Sequence, residues 1–320
     1  MQVTSTRWTI SPGTEEVMNL RLSGHDTFPL RYGWLYKAAS FISQNNMLKT
    51  SKVEDTELSV VQLGVGKNMV NAIRYWAESV GVLKVNTSFE QSLTEMGELL
   101  FGAYGKDPYL ERLGTVWLIH FMLNFEEENL TAYRYFFNYS NLQSFDKDRL
   151  AFDLDSYVLN NTEKSVNKST IKKDVDCFLN TYCKKYKGSK LNNLNINEDY
   201  FSSPLTEIGI LADLGKGFYL SEFSERNNLP TQIFIYGLCR FIRETLGASS
   251  ASFESLLVSP YSPGRIFRLS ESGLARHLDD AMRILPKYIH VTDTAGQRQV
   301  VVDEDIDIIA VLNDYWETSL

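Results

Sequence analysis

Residues 57–85 contain the pattern that most restricts how this chain can fold. The stretch ELSVVQLGVGKNMVNAIRYWAESVGVLKV predicts a short helix, a glycine-rich turn, and a second helix from about Lys67 to Ser79. Apolar residues recur in the second helix at helical spacing and predict one buried stripe. The stripe consists of Met69, Val70, Ile73, Trp76, Ala77 and Val80. Gly81 then ends the helix, and VLKV begins a strand.

The segment that follows completes a recognisable order of elements. The chain returns in LTEMGELLF (93–101), which predicts a second strand end and another helix. Helix, tight turn, helix and two-stranded hairpin is the order of a winged helix-turn-helix. Residues 252–282, SFESLLVSPYSPGRIFRLSESGLARHLDDAM, predict strand, Pro/Gly turn, strand and helix, which is a second wing. We therefore predict an α+β, predominantly helical fold with two winged helix-turn-helix-like units joined by a helical middle segment.

The same reasoning divides the chain into four segments. Residues 1–107 form an N-terminal winged-helix-like domain with a leading arm, and 108–186 form the helical middle segment. Residues 187–200 are polar and Asn-rich, which is typical of a linker. Residues 201–320 form a C-terminal winged-helix-like domain. It closes with a hairpin around DTAG and a final helix that DEDIDIIAVLNDYW begins.

Charge is distributed unevenly along the chain. The net charge of −8 argues against a protein that coats nucleic acid nonspecifically, although it allows a local basic face. Residues 163–190 contain eight lysines and three acids, whereas residues 294–320 contain one arginine and six acids. A nucleic-acid contact is therefore expected only on part of the molecule.

Composition also limits the compartment and the cofactors. The three cysteines are too few for a disulfide framework, and their spacing fits no zinc pattern even with the four histidines. The first residues lack a basic segment followed by an apolar block, and no apolar run is long enough to span a bilayer. We expect a reduced, cytoplasmic, metal-independent fold with no membrane contact.

The stretch HDTFPLRYGWLYKA (25–38) concentrates polar and aromatic residues at the predicted start of the first helix. His25 with Asp26 is a candidate general base with its orienting carboxylate. The structural alternative is that Asp26 caps the helix. Arg31 has two candidate roles, binding phosphate or bracing the loop. The residues alone leave the catalytic and structural interpretations level.

Two helices carry candidate DNA contacts. Opposite its buried stripe, the helix from Lys67 is predicted to expose Lys67, Asn68, Asn71, Arg74 and Tyr75. Lysine and arginine neutralise phosphates, and asparagine and arginine read base edges in the major groove. The lysine-rich stretch NKSTIKKDVDCFLNTY adds Lys168, Lys172 and Lys173, which can follow a nucleic-acid backbone. For both helices the alternative is a merely solvated face.

Two further motifs have simpler explanations than chemistry. LGVGK lacks the full spacing of a phosphate-binding loop, and Asn68 stands where a hydroxyl would hold magnesium. The acids Asp303, Glu304, Asp305 and Asp307 could collect magnesium. They also precede an apolar helical run, where acids favour the positive end of the helix dipole, and this interpretation is preferred.

Five stretches, taken in order, resemble the bacterial family catalogued as domain-of-unknown-function family 4007. They are GHDTFPLRYGWLYKA, LGVGKNMVNAIRYWAESVGVL, NKSTIKKDVDCFLNTY, SSPLTEIGIL and SPGRIFRLSESGL. The resemblance spans roughly residues 22 to 300. It implies a gene neighbourhood with a cysteine desulfurase and a sulfotransferase-like adenylating enzyme of DNA phosphorothioation, an antiphage defence system. In the single-strand-modifying version the similar component is regarded as a DNA nickase.

The resemblance therefore implies a DNA-binding subunit of such a system that also nicks one strand. His25, Asp26 and Arg31 are then the catalytic candidates, with magnesium or manganese as the cofactor of the nicking reaction. The expected partners are double-stranded DNA and the cysteine desulfurase and sulfotransferase-like or ATPase subunits, and a homodimer is left open. The alternative is a noncatalytic winged-helix adaptor or transcriptional regulator that binds the sulfur-transfer enzymes or operator DNA.

Overall fold

The computed structural model describes residues 20–45, 59–87, 90–126, 130–162, 165–184, 203–294 and 297–318. These residues divide into two compact units. The first contains residues 20–159 and 165–223, and the second contains residues 160–162 and 224–318. The predicted leading arm (1–19) and the predicted linker (187–200) lie outside the described residues.

The first unit is predominantly helical, with two small antiparallel sheets. Its helices are α1 Trp34–Asn45, α2 Lys67–Ser79, α3 Glu95–Phe101, α4 Leu113–Phe125, α5 Thr131–Arg134, α6 Lys147–Asn161 and α7 Lys168–Tyr182. A π-helical turn (Tyr135–Tyr139) continues α5, and a 3-10 turn spans Pro204–Ile208. Its strands are β1 Leu83–Val85, β2 Gln91–Leu93, β3 Ser144–Asp146, β4 Ala212–Gly215 and β5 Phe218–Leu220.

The predicted helix, turn, helix and hairpin are present in the first unit. Residues 59–63 are helical, and Gly64 turns the chain with a left-handed backbone (φ 65°) that favours glycine. The next helix, α2, then starts at Lys67. Strands β1 and β2 pair antiparallel, with Leu83 opposite Leu93, and Thr94 caps α3 by accepting a hydrogen bond from the Gly97 amide. These elements confirm the pattern seen in residues 57–101.

The core of the first unit lies around α4. Every residue of α4 from Gly114 to Phe125 is buried, as expected for a helix that is apolar on all sides. Helix α7 presents Val175, Phe178 and Tyr182 to the same unit, where Phe178 and Tyr182 meet Phe137 in the aromatic core. The predicted helical nature of both segments is therefore confirmed.

The second unit combines helices with one three-stranded antiparallel sheet. Its elements are α8 Thr231–Arg240 with a π-helical turn Phe241–Thr245, β6 Ser250–Ser252, α9 Phe253–Val258, α10 Pro263–Ile266, α11 Glu271–Ile284, β7 Ile289–Thr294, β8 Gln297–Val302 and α12 Ile308–Thr318. The strand order is β6-β8-β7. The terminal hairpin and the final helix were both predicted and are confirmed.

The prediction of strand, turn and strand at 252–268 is wrong. Ser252 caps α9 by accepting a hydrogen bond from the Ser255 amide, so residues 253–258 are helical. Ser262 caps α10 in the same way, and Pro263 occupies the first helical position, where its missing amide costs nothing. The Pro/Gly sequence is therefore a helix start. Leu269 contributes only an isolated bridge to Ser224.

The acids ahead of the final helix were interpreted as part of its start. Asp307 accepts hydrogen bonds from the amides of Ile309 and Ala310, so this acid does lie at the start of the final helix and caps it.

Across the described ranges, no helix is both long enough and apolar enough to cross a membrane.

Candidate functional site

The loop at residues 23–31, here called the HDTFP loop, has an unusual backbone. Ser23, Asp26 and Thr27 all have positive φ, between 47° and 65°, and the Phe28 amide bonds the His25 carbonyl at 2.8 Å. Such left-handed residues persist where the surroundings fix them. The loop is therefore a built turn ahead of α1, which begins only at Trp34.

His25 is buried in the first unit and is held by Asp174 of α7. Its Nε2 lies 2.5 Å from Asp174 Oδ1, and its Nδ1 accepts the Thr27 amide at 3.0 Å. Because Nδ1 accepts, the ring donates through Nε2 to the carboxylate. The Ser23 amide also donates to Oδ1, at 3.0 Å. Asp174 therefore holds the first residues of the loop, Ser23 and His25, in place.

The structure does not bring His25 and Asp26 together as an acid–base pair. The position of an orienting carboxylate is taken by Asp174, whereas Asp26 is exposed and its amide bonds the Ser23 carbonyl. Because α1 begins only at Trp34, Asp26 lies too many residues before the helix to cap it. The catalytic role of these residues stays a prediction.

Arg31, the third catalytic candidate, is buried among aromatic rings. Its guanidinium lies 5.4 Å from the ring centroids of both Phe28 and Trp34. A guanidinium over aromatic faces is attracted by the ring quadrupoles. This geometry corresponds to the bracing role that the sequence left open for Arg31.

Tyr75 of α2 covers the histidine from the other side. The rings of His25 and Tyr75 meet edge to face at 5.9 Å, and the Arg21 guanidinium lies 4.6 Å above the Tyr75 ring. Burial raises the pKa of the Tyr75 phenol above its ordinary value, and the Arg21 charge opposes that rise. Tyr75 was predicted to be exposed on α2. That prediction is wrong, because its ring fills the space above the loop.

Gly24 makes this close packing feasible. A Cβ atom added at Gly24 would lie 2.2 Å from the Tyr75 ring, well inside van der Waals contact. Asp174 Oδ2 is buried and has no hydrogen-bond partner among the described residues. Buried polar atoms are normally satisfied, so this oxygen retains capacity for a water molecule or another small polar group.

The exposed polar residues of α2 lie at its start. Lys67 and Asn68 are exposed, whereas Asn71 and Arg74 are half-buried. The Arg74 Nε lies 3.9 Å from Glu78, which also pairs with Arg21. The first turn of α2 is therefore more available to a phosphate than Arg74 is.

The second predicted DNA-binding helix, α7, exposes all three of its candidate lysines. Lys168, Lys172 and Lys173 lie on the face opposite the buried Asp174. Lys172 Nζ is 3.5 Å from Asp148, an exposed pair that contributes little to stability. This face is basic and open to solvent.

One backbone group joins these two helices to the HDTFP loop. The Phe28 carbonyl accepts the indole N–H of Trp76 (α2) at 3.0 Å and the thiol of Cys177 (α7) at 3.4 Å. The loop therefore contacts both helices that carry candidate DNA-binding residues.

The three cysteines do not contribute to the exposed faces of α2 and α7. Cys177, Cys183 and Cys239 are all free and buried. Burial raises the pKa of each thiol, to about 12 for Cys183 and Cys239, so the thiolates needed for nucleophilic attack do not form near neutrality.

Asp174 is the residue that the sequence interpretation missed. It was counted only as an acid within the lysine-rich stretch. A signal was present, because Asp174 falls in the apolar stripe formed by Ile171, Val175 and Phe178, which are all buried. An acid at a core position of an amphipathic helix needs a partner inside the fold.

Comparison with known proteins gives one family and two similar solved structures. A family model described as a protein of unknown function (DUF4007) matches residues 22–316. A crystal structure of magnesium ion-bound SspB is 27% identical, has a TM-score of 0.80, and is matched over 95% of this chain and 90% of that chain. A second SspB crystal structure is 26% identical, with the same TM-score and the same shares. No curated protein matches the chain at a significant level.

Proposed function

Because this chain belongs to the DUF4007 family of proteins of unknown function, which its sequence matches over residues 22–316, we propose that it is a DNA-contacting subunit of a DNA phosphorothioation defence system. The contact surface in this proposal consists of the start of α2 and the lysine face of α7. The proposal that the protein belongs to such a system rests on the family resemblance. The proposed contact surface rests on the exposed charges of the first unit.

One observation carries the DNA contact. Residues 59–63, the turn, α2 and the β1–β2 pair follow one another in the order helix, turn, helix and hairpin, and α2 exposes Lys67 and Asn68 immediately after the turn. We take this order to support a winged helix-turn-helix. In winged helices this second helix enters the major groove, and its first residues reach the bases. We propose the same role for α2, with Asn71 and Arg74 at the margin of the contact.

The lysines of α7 provide the backbone contact in this proposal. Lys168, Lys172 and Lys173 are exposed on one helix, and each phosphate they neutralise releases a counterion. Such contacts add affinity without sequence preference, which complements the reading of bases by α2. The overall charge of −8 argues against contact with DNA over the whole protein, so the proposal is limited to this local surface.

Salt dependence of binding to a duplex oligonucleotide tests the surface. Lys67→Ala should reduce the slope of log Kd against log salt by about 1, and the combined Lys168→Ala, Lys172→Ala and Lys173→Ala variant by about 2 to 3. Lys287→Ala, an exposed lysine of the second unit, is the matched control and should leave the slope unchanged. Slopes that are identical in all variants would exclude this surface.

Strand nicking is the enzymatic part of the proposal. A similar structure is described as magnesium ion-bound. Within the described ranges of this chain, no three His, Cys, Asp or Glu side chains form a cluster suited to a metal ion, so we derive no step through a metal. His25 is buried under the Tyr75 ring, whereas Asp26 is exposed. Catalysis by His25 would require the HDTFP loop to open.

A supercoiled plasmid assay with and without magnesium or manganese tests nicking. Asp26→Asn, which suits the left-handed backbone of this exposed position, should abolish the open-circular product without changing the thermal midpoint. His25→Ala should lose activity together with stability, since it breaks the contact with Asp174. A plasmid that stays closed with the wild-type protein under every ionic condition would contradict nicking and favour the noncatalytic alternative.

That alternative, an adaptor or regulator, is supported by the acids of the second unit. Asp303, Glu304, Asp305 and Asp307 are exposed ahead of α12. Such a negative segment suits a basic protein surface better than DNA. Binding of the cysteine desulfurase or the sulfotransferase-like subunit that is lost when these four acids are neutralised, with no DNA affinity, would establish the adaptor role.

A further inference from the structure

An open depression of about 690 Å³ lies where the HDTFP loop meets the turn before α2. It is lined by Phe28, Val60, Gly64, Val65, Gly66, Lys67, Asn68 and Met69. Its volume is within the range of small-molecule sites, roughly 300 to 1,000 Å³, and its lining is both apolar and polar. The depression therefore brings together two sequence motifs, the HDTFP loop and the GVG turn.

Phe28 forms one wall and is held in place from several sides. Its carbonyl accepts bonds from Trp76 and Cys177, and its amide donates to the His25 carbonyl. Arg31 lies against the ring, and Trp34 meets it edge to face at 6.3 Å. The half-buried ring is thus fixed before any ligand arrives, which lowers the entropic cost of stacking on it.

The start of α2 gives the depression a positive polarisation. Lys67 is the only charged residue among the described residues that line the depression. Gly66 precedes α2 without a capping side chain, and the first turn of α2 contains no acid. The first intrahelical bond runs from the Val70 amide to the Gly66 carbonyl, at 3.0 Å. The amides before Val70 and the Lys67 charge therefore both favour an anion.

An aromatic ring and a cation that line the same depression, together with apolar side chains, match the chemistry of a nucleotide. We propose that this depression binds one unstacked nucleotide of a DNA strand, with its base against the Phe28 ring and its phosphate beside Lys67. The inference rests on the proposed DNA contact and goes further by naming the unit recognised. A duplex must release a base to fill the site, whereas a single strand offers one freely.

Gly66 provides a test that leaves the fold intact. Its φ is −67°, and an added Cβ would meet nothing within 4 Å. Gly66→Asp places a helix-capping carboxylate where the phosphate is proposed to lie, so it should preserve or raise the thermal midpoint. It should weaken binding of a fluorescent single-stranded oligothymidylate by about tenfold or more. Gly66→Asn, an uncharged cap of the same size, should weaken it much less.

Phe28→Leu tests the base. Loss of aromatic stacking should weaken binding of the same oligonucleotide by about fivefold to a hundredfold. An oligonucleotide of abasic residues should bind the wild-type protein correspondingly more weakly, and Phe28→Leu should then have little further effect. This dependence on the base distinguishes stacking from a general loss of stability, which would weaken binding of both oligonucleotides equally.

The outcomes separate this inference from the proposed function. If the protein binds duplex and single-stranded DNA with a salt slope that Lys67→Ala reduces, but neither Gly66→Asp nor Phe28→Leu matters, the nucleotide site is wrong and the DNA contact stands. If no DNA binds at any salt concentration, both are wrong. Equal affinity for abasic and thymidine oligonucleotides also overturns the nucleotide site.

Discussion

The two units bury histidines in opposite electrostatic surroundings. In the first unit His25 faces the carboxylate of Asp174 and joins a loop to a helix 149 residues away. In the second unit His277 donates to the Glu225 backbone carbonyl at 3.0 Å, stacks on Phe234 and has Arg276 beside it. Its Nδ1 is buried and has no hydrogen-bond partner among the described residues.

This contrast shows how each unit uses its buried charge. The second unit places Arg268 and Arg265 in the interior, where burial and neighbouring arginines lower the pKa of Arg268 to about 9. The first unit keeps Lys67 and the lysines of α7 on the outside. Each unit nevertheless has cations of both kinds, because Arg31 is buried in the first unit and Lys287 is exposed in the second. Residue counts along a sequence do not reveal which cations are buried.

Removing the carboxylate that holds His25 should have the largest effect on stability. Asp174→Ala leaves the His25 ring and the Ser23 amide without their acceptor, and each unsatisfied buried donor costs about 1–3 kcal/mol. We expect a loss of about 3 kcal/mol in urea unfolding. Asp176→Ala, a half-exposed acid of the same helix, should cost less than about 1 kcal/mol. Equal losses would show that Asp174 has no special role.

Crowding the space above His25 should have an intermediate effect. In Gly24→Ala the new methyl group collides with Tyr75, and overpacking of this kind costs about 1–3 kcal/mol. Gly66→Ala is the matched control, because its added methyl meets open space at an ordinary φ. Thermal unfolding of the two variants measures the difference. A Gly24→Ala protein as stable as Gly66→Ala would mean that the ring moves freely.

The smallest effect on stability is expected when a fall in pH protonates His277 in the second unit. Burial, followed by the charge of Arg276, lowers the pKa of His277 below its ordinary value of 6.5, and contacts with the Glu225 carbonyl and Asp280 oppose this. The unfolded chain therefore binds the proton more readily than the folded chain. Stability conferred by neutral His277 is present above pH 6.5 and falls as the pH drops below it.

Between pH 7 and 5.5 this loss should reach at most about 1 kcal/mol. Hydrogen exchange of α11 amides reports it locally, and His277→Gln should remove most of the dependence. A wild-type α11 that becomes more stable over the same interval would contradict the assigned direction.

The sequence predicted the first unit better than the second for a physical reason. Helix α2 is long enough for its apolar stripe to identify it, and glycines mark both of its ends. Helix α9 has only six residues, too few to distinguish a helical period from an alternating one, so SFESLLV was interpreted as a strand. The helix starts after the Ser252 cap. The sequence around Ser252 was interpreted as a strand, so this cap was not recognised.

The candidate site was predictable in its parts and not in its assembly. HDTFP and the GVG turn were both identified as unusual, and Lys67, Asn68 and the lysines of α7 are exposed as expected. The contact between His25 and Asp174 depends on how distant segments pack, which local periodicity does not encode. The position of Tyr75 above Gly24 depends on the same packing.

The distance along the chain between His25 and Asp174 has a consequence for biosynthesis. A nascent polypeptide emerges from the ribosome from its amino terminus, so the turn around His25 leaves the exit tunnel long before its carboxylate anchor does. Until α7 emerges, the His25 ring and the Ser23 amide lack their carboxylate partner, and a fragment that stops at residue 107 never acquires it. The turn therefore reaches its full set of contacts only late in translation.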